Sequence, residues 1–351
     1  MIKLLHSADW HLDSPLRNRD PRLKEALLSV PDRVCGICRR EGCQLLLLSG
    51  DIFDGPATVE SIGVLRRALA EVEIPVFIAP GNHDYIAPGS PWLTEVWPEN
   101  VHIFTKQHIT SAFLPELNCR VYGAGFHSMD CPPLLENFSR EPGEEYAIGI
   151  LHGDPTQSAS PCCPVTAAQV RGSGLSYLGL GHIHKYGQFL AGDTLCAWPG
   201  CPMGRGFDEA GEKGVLLVTL DENACAEFVP LDLPRFYELT VAGEPAAALE
   251  AALPAAGNGD YYRITLTGET ETPNLEALSR RFERFPNLEW IDRTQPPVDI
   301  WQSAGGDNLE GLFFSMLRNS LEEQDEEGQR ITCLAAKIAR QLLDGKEVAL
   351  P

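Results

Sequence analysis

Nowhere does the sequence carry a run of eighteen apolar residues, so no membrane-spanning helix is expected. Met1-Ile2-Lys3-Leu4-Leu5-His6 goes straight into a strand pattern. It has neither the apolar core nor the cleavage site of a signal peptide. Low-complexity tracts and internal repeats are also lacking. Positive charge is scarce: 28 Lys and Arg stand against 49 Asp and Glu, a net charge of −21. Nucleic-acid affinity rests on neutralising phosphates, so this balance argues against tight DNA binding by the chain alone. Much of the acid lies in the C-terminal third, as in Glu322-Glu323-Gln324-Asp325-Glu326-Glu327. The eleven cysteines are an odd number with no secretion signal, so reduced thiols in a cytoplasmic chain are expected. Cys35, Cys38 and Cys43 lie on a helical segment without a matching second pair. Helix packing is expected of them rather than zinc.

What the chain does have is a set of polar clusters, each placed after a strand. Ile74-Pro75-Val76-Phe77-Ile78 is apolar and β-branched, a buried strand stopped by Pro80 and Gly81. Asn82, His83 and Asp84 follow at its carboxyl end, where open α/β sheets bind ligands. Lys3 to Ser7 is a strand followed by Asp9-Trp10-His11. An i, i+2 pair on extended backbone points to one side, so Asp9 and His11 can grip one ion. Asp13 is then expected to orient His11. Leu45-Leu46-Leu47-Leu48 precedes Gly50-Asp51-Ile52-Phe53-Asp54. There Gly50 lets the backbone approach closely, and Asp54 is the expected hydrogen-bond partner of His83. Tyr146 to Leu151 ends at His152-Gly153-Asp154, and Tyr177 to Leu180 ends at Gly181-His182-Ile183-His184, where an i, i+2 pair again puts two imidazoles on one side.

Between these strands, Pro21–Glu41 reads as a helix broken near Pro31, and 59–72 has helical spacing. The alternation implies a mostly parallel sheet in an α/β domain. Val215 to Leu220 is a further strand that closes it. Three segments are expected: a catalytic domain at 1–232, a small α+β domain at 235–298, and a helical segment at 299–351. Gln295-Pro296-Pro297 is the linker. Asp307-Asn308-Leu309-Glu310 reads as a capping box. Apolar stripes run through Leu309, Leu312, Phe313, Met316 and Leu317, then Ile331, Leu334, Ile338 and Leu342. They serve either packing within the chain or partner docking.

Asp9, His11, Asp51, Asn82, His152, His182 and His184 form a donor set of imidazoles, carboxylates and one amide. Such a set suits Mn²⁺, Fe or Zn²⁺ better than Mg²⁺ or Ca²⁺, which prefer oxygen. Seven ligands are too many for one tetrahedral ion. They suit two ions about 3.5–4 Å apart, with Asp51 as the bridge. Such a pair makes hydroxide available from water at neutral pH and clamps the oxygens of a phosphate. His83, oriented by Asp54, is the candidate acid for the leaving oxygen. The reaction class is phosphate-ester hydrolysis. His6, His102, His108 and His127 read as hydrogen-bonded structure.

The ordered set D-x-H, G-D-x-x-D, G-N-H-D, H-G-D and G-H-x-H resembles the calcineurin-like metallophosphoesterase superfamily over residues 1–220. Asp9-Trp10-His11-Leu12, Gly50 to Asp54 and Gly81 to Asp84 are most similar to its SbcD branch, nuclease subunits of double-strand-break repair. His11 to Leu16, Trp198 to Pro202, Gly206 to Glu209 and Lys213-Gly214 are similar to YhaO-type DNA repair exonucleases. Cys201 stands where that pattern has serine. The resemblance implies an α/β fold built as a four-layer α/β/β/α sandwich, with Mn²⁺ as the metal. It assigns Asp9, His11, Asp51 and His184 to one ion, and Asp51, Asn82, His152 and His182 to the other. It also implies a cap domain beside a DNA groove, and C-terminal helices that contact an SMC-like ATPase of the SbcC or YhaN kind. A homodimer and the absence of a membrane association complete the expectation. The leading reading is a DNA exonuclease or endonuclease. A small-nucleotide phosphodiesterase or phosphatase uses the same site, and the net charge favours it. A catalytically dead scaffold is the third reading, and no ligand is lost that would signal it.

Overall fold

The computed structural model describes residues 1–16, 20–243, 245–297 and 299–345. The last six positions of the expected helical segment, 346–351, lie outside the described residues, as does position 298 at the end of the expected α+β domain. The chain divides into two compact units: Met1–Glu238 with Asn258–Arg263 and Phe285–Asn287, and Leu239–Gly257 with Ile264–Arg284 and Leu288–Pro351.

The first unit runs β1 (Ile2–Ser7), α1 (Pro21–Leu28), α2 (Val30–Glu41), β2 (Leu45–Leu48), α3 (Val59–Glu71), β3 (Val76–Ile78), α4 (Pro91–Thr94) and β4 (Val101–Ile103). It continues through β5 (Thr110–Leu114), β6 (Cys119–Gly123), β7 (Tyr146–His152), α5 (Ala167–Ser173), β8 (Tyr177–Gly181), β9 (Gly187–Ala191), β10 (Thr194–Trp198), β11 (Gly214–Leu220) and β12 (Ala224–Pro230). Two six-stranded sheets result, ordered β12-β11-β1-β2-β3-β4 and β5-β6-β7-β8-β10-β9. Pairing is parallel from β1 to β4, and from β6 through β7 and β8 to β10. The strand at 215–220 joins the first sheet. It lies antiparallel between β1 and β12.

Residue parity sets the layers, because successive strand side chains point to opposite faces. Leu46 and Leu48 pack with Leu27, Val34, Cys35 and Leu65 of the helices. Leu45 and Leu47 pack with Val121, Ile148 and Ile150 of the second sheet. Ala147, Leu151, Leu178 and Leu180 pack on the far side with Val170 of α5. Helix, sheet, sheet, helix is the order, which is why all four leucines of β2 are buried. Cys35, Cys38 and Cys43 belong to the first of these cores, and all eleven cysteines are free. Pro31 is tolerated because it falls in the first turn of α2.

In the remaining chain, β13 (Phe236–Ala242), α6 (Pro245–Ala252), β14 (Tyr261–Glu269), α7 (Leu275–Arg281) and β15 (Asn287–Gln295) precede α8 (Leu309–Ser320) and α9 (Glu326–Leu343). The three strands form one sheet in chain order. The capping box is not formed. Asn308 is the N-cap and accepts from Gly311 N at 2.7 Å. Glu310 is thereby one residue short of the reciprocal position, and pairs with Ser303 and Arg340 instead. Phe314, outside the expected stripe, is the buried side chain of α8, with the Arg340 guanidinium 4.8 Å over its ring. Leu309, Leu312, Phe313 and Met316 are exposed, as are Ile331, Leu334 and Leu342. No helix among the described residues is long and apolar enough to cross a membrane.

Candidate metal centre

The polar clusters meet in the loops that leave β1, β2, β3, β7 and β8. The backbone there is turned, not extended: Asp9, His11, Asp51 and His182 have φ of 55°, 48°, 51° and 88°. Non-glycine residues seldom adopt this left-handed region, and such strain collects at functional sites. The extended backbone that the i, i+2 argument assumes is absent at both pairs; Asp9 and His11 nevertheless come together, whereas His182 and His184 part. The turn sends His182 Nδ1 to within 3.2 Å of Asn82 Oδ1, whereas His184 Nε2 lies 3.1 Å from His11 Nε2. One sequence pair serves two groups.

On one side stand Asp9, His11 and His184, whose donor atoms lie within 4.8 Å of one another. On the other, Asn82 Oδ1 is 2.8 Å from His152 Nε2. Asp51 lies between them, its Oδ2 at 3.4 Å from His152 Nε2 and 3.7 Å from His11 Nε2. Asp51 Oδ1 accepts the His83 backbone N–H at 2.8 Å. His83 Nδ1 is 2.8 Å from Asp54 Oδ1, and the imidazole is 39% exposed, so its far nitrogen faces an approachable surface. A pocket of about 520 Å³ has His83 in its wall.

The donor set fits divalent cations on three observations. The Nδ1–H of His152 donates to the Ser49 carbonyl at 2.9 Å, because a carbonyl can only accept. Its Nε2 lone pair then faces two oxygens that also lack a hydrogen. In the same way Glu209 Oε1 accepts from His184 Nδ1 at 2.7 Å, leaving His184 Nε2 aimed at His11. Asp9 Oδ1 accepts the His182 backbone N–H at 2.8 Å, while its buried Oδ2 has no hydrogen-bond partner among the described residues. Convergent lone pairs around a buried, unpartnered carboxylate oxygen are repulsive unless a cation or a proton lies between them.

Without a cation, a proton takes that role. Burial lowers the His152 pKa, but Asp51 and Asp9 outweigh it and raise it to about 9. Burial lowers that of His182. A cation at His152 Nε2 displaces the extra proton. Metal loading at pH 7–8 is therefore expected to release protons, with the share from His152 declining as pH rises through 9. Calorimetry in two buffers of different ionisation enthalpy reads this release; heats equal in both buffers at pH 7 would contradict it.

Several supporting residues carried no role in the sequence reading. Asp84 is buried and accepts from Gly81 N (2.7 Å), Ile52 N (2.8 Å), Asp51 N (3.2 Å) and Phe53 N (3.3 Å), clasping the Asp51 loop to the Asn82 loop. Burial and the Asp51 charge push its carboxyl up to about 7, against those N–H groups. It stood in plain view in the Gly81 to Asp84 turn. Ser49 accepts from His152 and is itself tied to His6, whose Nε2 lies 2.7 Å from Ser49 Oγ and whose Nδ1 lies 2.8 Å from Tyr177 Oη. His6 is thus buried structure, and burial pushes its pKa down to about 3. Glu209 comes from a short 3-10 turn, Phe207–Glu209, with no spacing that links it to His184. Asp13 does not orient His11. Its φ of 74° turns it towards α3, where it accepts from Thr58 N (3.0 Å) and Ser61 Oγ (2.5 Å). His11 Nδ1 faces Asp54 Oδ1 at 3.8 Å instead.

Glycine is required at Gly81 for space. A Cβ there would meet Asp51 N and His152 Nδ1 at 2.8 Å, and Asp51 Oδ1 closer still. Gly81→Ala is expected to weaken metal binding at least tenfold and destabilise the fold by about 1–3 kcal/mol. Metal titration and thermal melting check both, and wild-type affinity would show that the loops have room to move.

The family model for calcineurin-like phosphoesterases matches residues 2–186. YhaO of Bacillus subtilis (strain 168), an uncharacterised metallophosphoesterase, is 31% identical over 360 residues, covering 92% of this chain and 88% of its own. Among solved structures, a dimetal phosphatase from Danio rerio has 12% identity and a TM-score of 0.43, over 64% of this chain and 95% of its own. The protein TT1561 of Thermus thermophilus has 16% identity and a TM-score of 0.40, over 61% and 93%. With the family model covering more than half its length and YhaO matching nearly all of it, the chain belongs to the calcineurin-like phosphoesterase family.

Proposed function

We propose that the chain is a two-metal phosphodiesterase whose substrate is DNA, a nuclease of double-strand-break repair that works with an SMC-like ATPase. The observation that carries the hydrolytic part is the arrangement around Asp51. Two groups of lone-pair donors flank it, and an exposed imidazole backed by a carboxylate stands beside it. Asp9, His11, Asp51 and His184 would hold one ion, and Asp51, Asn82, His152 and His182 the other. Mn²⁺ suits this mixture of nitrogen and oxygen. When bound, the ions supply a hydrolytic nucleophile at neutral pH and draw charge off the phosphate oxygens. Ser49 and Glu209 fix the tautomers of His152 and His184. Asp54 accepts from His83 Nδ1, so His83 Nε2 is the atom that can give a proton to the leaving oxygen.

The exposed apolar side chains of α8 and α9 support a protein partner. With −21 net charge, a partner that supplies basic surface fits a DNA substrate. The same charge favours the second reading, a small-nucleotide phosphodiesterase. A cytoplasmic location accords with eleven free cysteines.

End-labelled linear DNA, incubated with the chain and Mn²⁺, Mg²⁺ or chelator, separates these readings. Loss of DNA that needs the metal and vanishes in Asp51→Asn is expected, alone or with an ATPase present. Hydrolysis of a bis-aryl phosphodiester, with DNA untouched even beside the ATPase, would replace DNA by a small nucleotide.

A further inference from the structure

Arg205 is a cation placed among the carboxylates that orient two imidazoles of the site. Its guanidinium grips Glu209 from two sides: Nη2 to Oε1 at 2.5 Å and Nε to Oε2 at 3.2 Å. Its backbone N–H donates to the same Oε2 at 2.8 Å. Glu209 in turn accepts from His184 Nδ1. The remaining guanidinium nitrogen, Nη1, lies 3.7 Å from Asp54 Oδ2 and 3.2 Å from Ser14 Oγ. Asp54 holds His83 through its other oxygen. One guanidinium therefore joins a continuous line from His184 through Glu209, Arg205 and Asp54 to His83. A planar fork can satisfy two carboxylates at fixed angles, which a lysine point charge cannot.

We propose that Arg205 is a positioning residue that sets the leaving-group arm, Asp54 with His83, relative to the metal-ligand arm, Glu209 with His184. It acts through both carboxylates at once. Arg205 also borders an open pocket of about 360 Å³ with Ser14, Pro15 and Asp208, so direct contact with a substrate phosphate is the competing role. This inference rests on the reading of the site as a hydrolytic metal centre. Metal uptake, measured without turnover, keeps the two apart.

The experiment compares Glu209→Gln and Arg205→Ala by metal titration and by hydrolysis of two diesters, one with a p-nitrophenyl and one with a phenyl leaving group. Both variants are expected to bind one ion about 10–100-fold more weakly, as loss of a ligand-orienting partner does. At saturating metal, Glu209→Gln regains kcat. Arg205→Ala keeps a deficit of about tenfold or more on the phenyl diester, whose poor leaving group needs the acid, and little on the p-nitrophenyl diester. Free guanidinium at sub-denaturing concentration is expected to relieve that deficit. A rise in KM alone would make Arg205 a phosphate contact and overturn the proposal. So would a deficit that disappears with added metal, or one equal on both leaving groups. Thermal melting guards against misfolding, and Arg205→Gln, which keeps the bulk, repeats the comparison if alanine unfolds. A wild-type chain that binds metal and cleaves no diester would sink the hydrolytic reading, yet leave the affinity comparison able to test the metal-ligand arm.

Discussion

Asp51→Asn is expected to lower kcat for a phosphodiester by about 10³-fold or more, and to take the chain from two bound ions to one or none. Two-metal catalysis supplies several kcal/mol of transition-state stabilisation, and each 1.4 kcal/mol is a factor of about ten. Asp51 is the carboxylate that lies within 4 Å of imidazoles on both sides, so its charge serves both groups. Asparagine preserves the shape, and its amide oxygen can still accept the His83 N–H. The loop stays clasped, because Asp84 holds the backbone N–H of residues 51 and 52 whatever the side chain at 51. Above pH 9, where His152 is neutral in the metal-free chain, the metal-free variant is expected to melt no lower than the metal-free wild type, since a buried charge has been removed; at pH 7 it loses the pairing of Asp51 with protonated His152 and melts lower. The difference appears on adding metal. Wild type gains stability by mass action, and the variant gains less or none. A large loss of stability in the metal-free variant above pH 9 would mean that Asp51 is structural first.

His83→Ala is expected to cost about 10²–10⁴-fold in kcat on substrates with a poor leaving group, the range of a positioned general acid. On a p-nitrophenyl diester the loss should be much smaller, because that leaving group departs without a proton. Metal stoichiometry should stay at two. This last reading matters, because His83 also lies within reach of His11 and Asp51 as a possible ligand cluster. Loss of an ion in His83→Ala would make it a ligand. Asp54→Asn should follow the same leaving-group pattern with a smaller effect, since it acts on His83 through one hydrogen bond of 2.8 Å.

The buried parallel strands and the convergence of seven donor residues were legible in the sequence because both rest on periodicity and on strand ends, whereas the two facing sheets came from the family resemblance. Four consecutive leucines before Gly50-Asp51 state that a strand is covered on both faces, and Asp51 lies where such a strand stops. What the pattern could not show is how the chain turns after the stop. Asp9, His11 and His182 leave the extended region, so a rule that holds for pleated backbone assigned His182 and His184 to one side when they divide between two groups. Asp13 was misplaced for the same reason. Residues that act through others were also invisible. Glu209 reaches His184 from 25 positions away, and Ser49 uses a carbonyl, which carries no residue signature. The apolar stripes of α8 and α9 were visible as stripes, but only packing shows that Phe314 rather than Leu312 or Met316 turns inward.

The central claim is that these donors hold divalent ions that hydrolyse a phosphodiester. It is tested most directly by following bis-p-nitrophenyl phosphate hydrolysis while Mn²⁺ is titrated into the metal-free chain. The account expects no rate without metal, a rise that saturates at two ions per chain, and no rise in Asp51→Asn. A rate that persists in chelator, or two ions bound with no hydrolysis at any pH from 6 to 9, would contradict it.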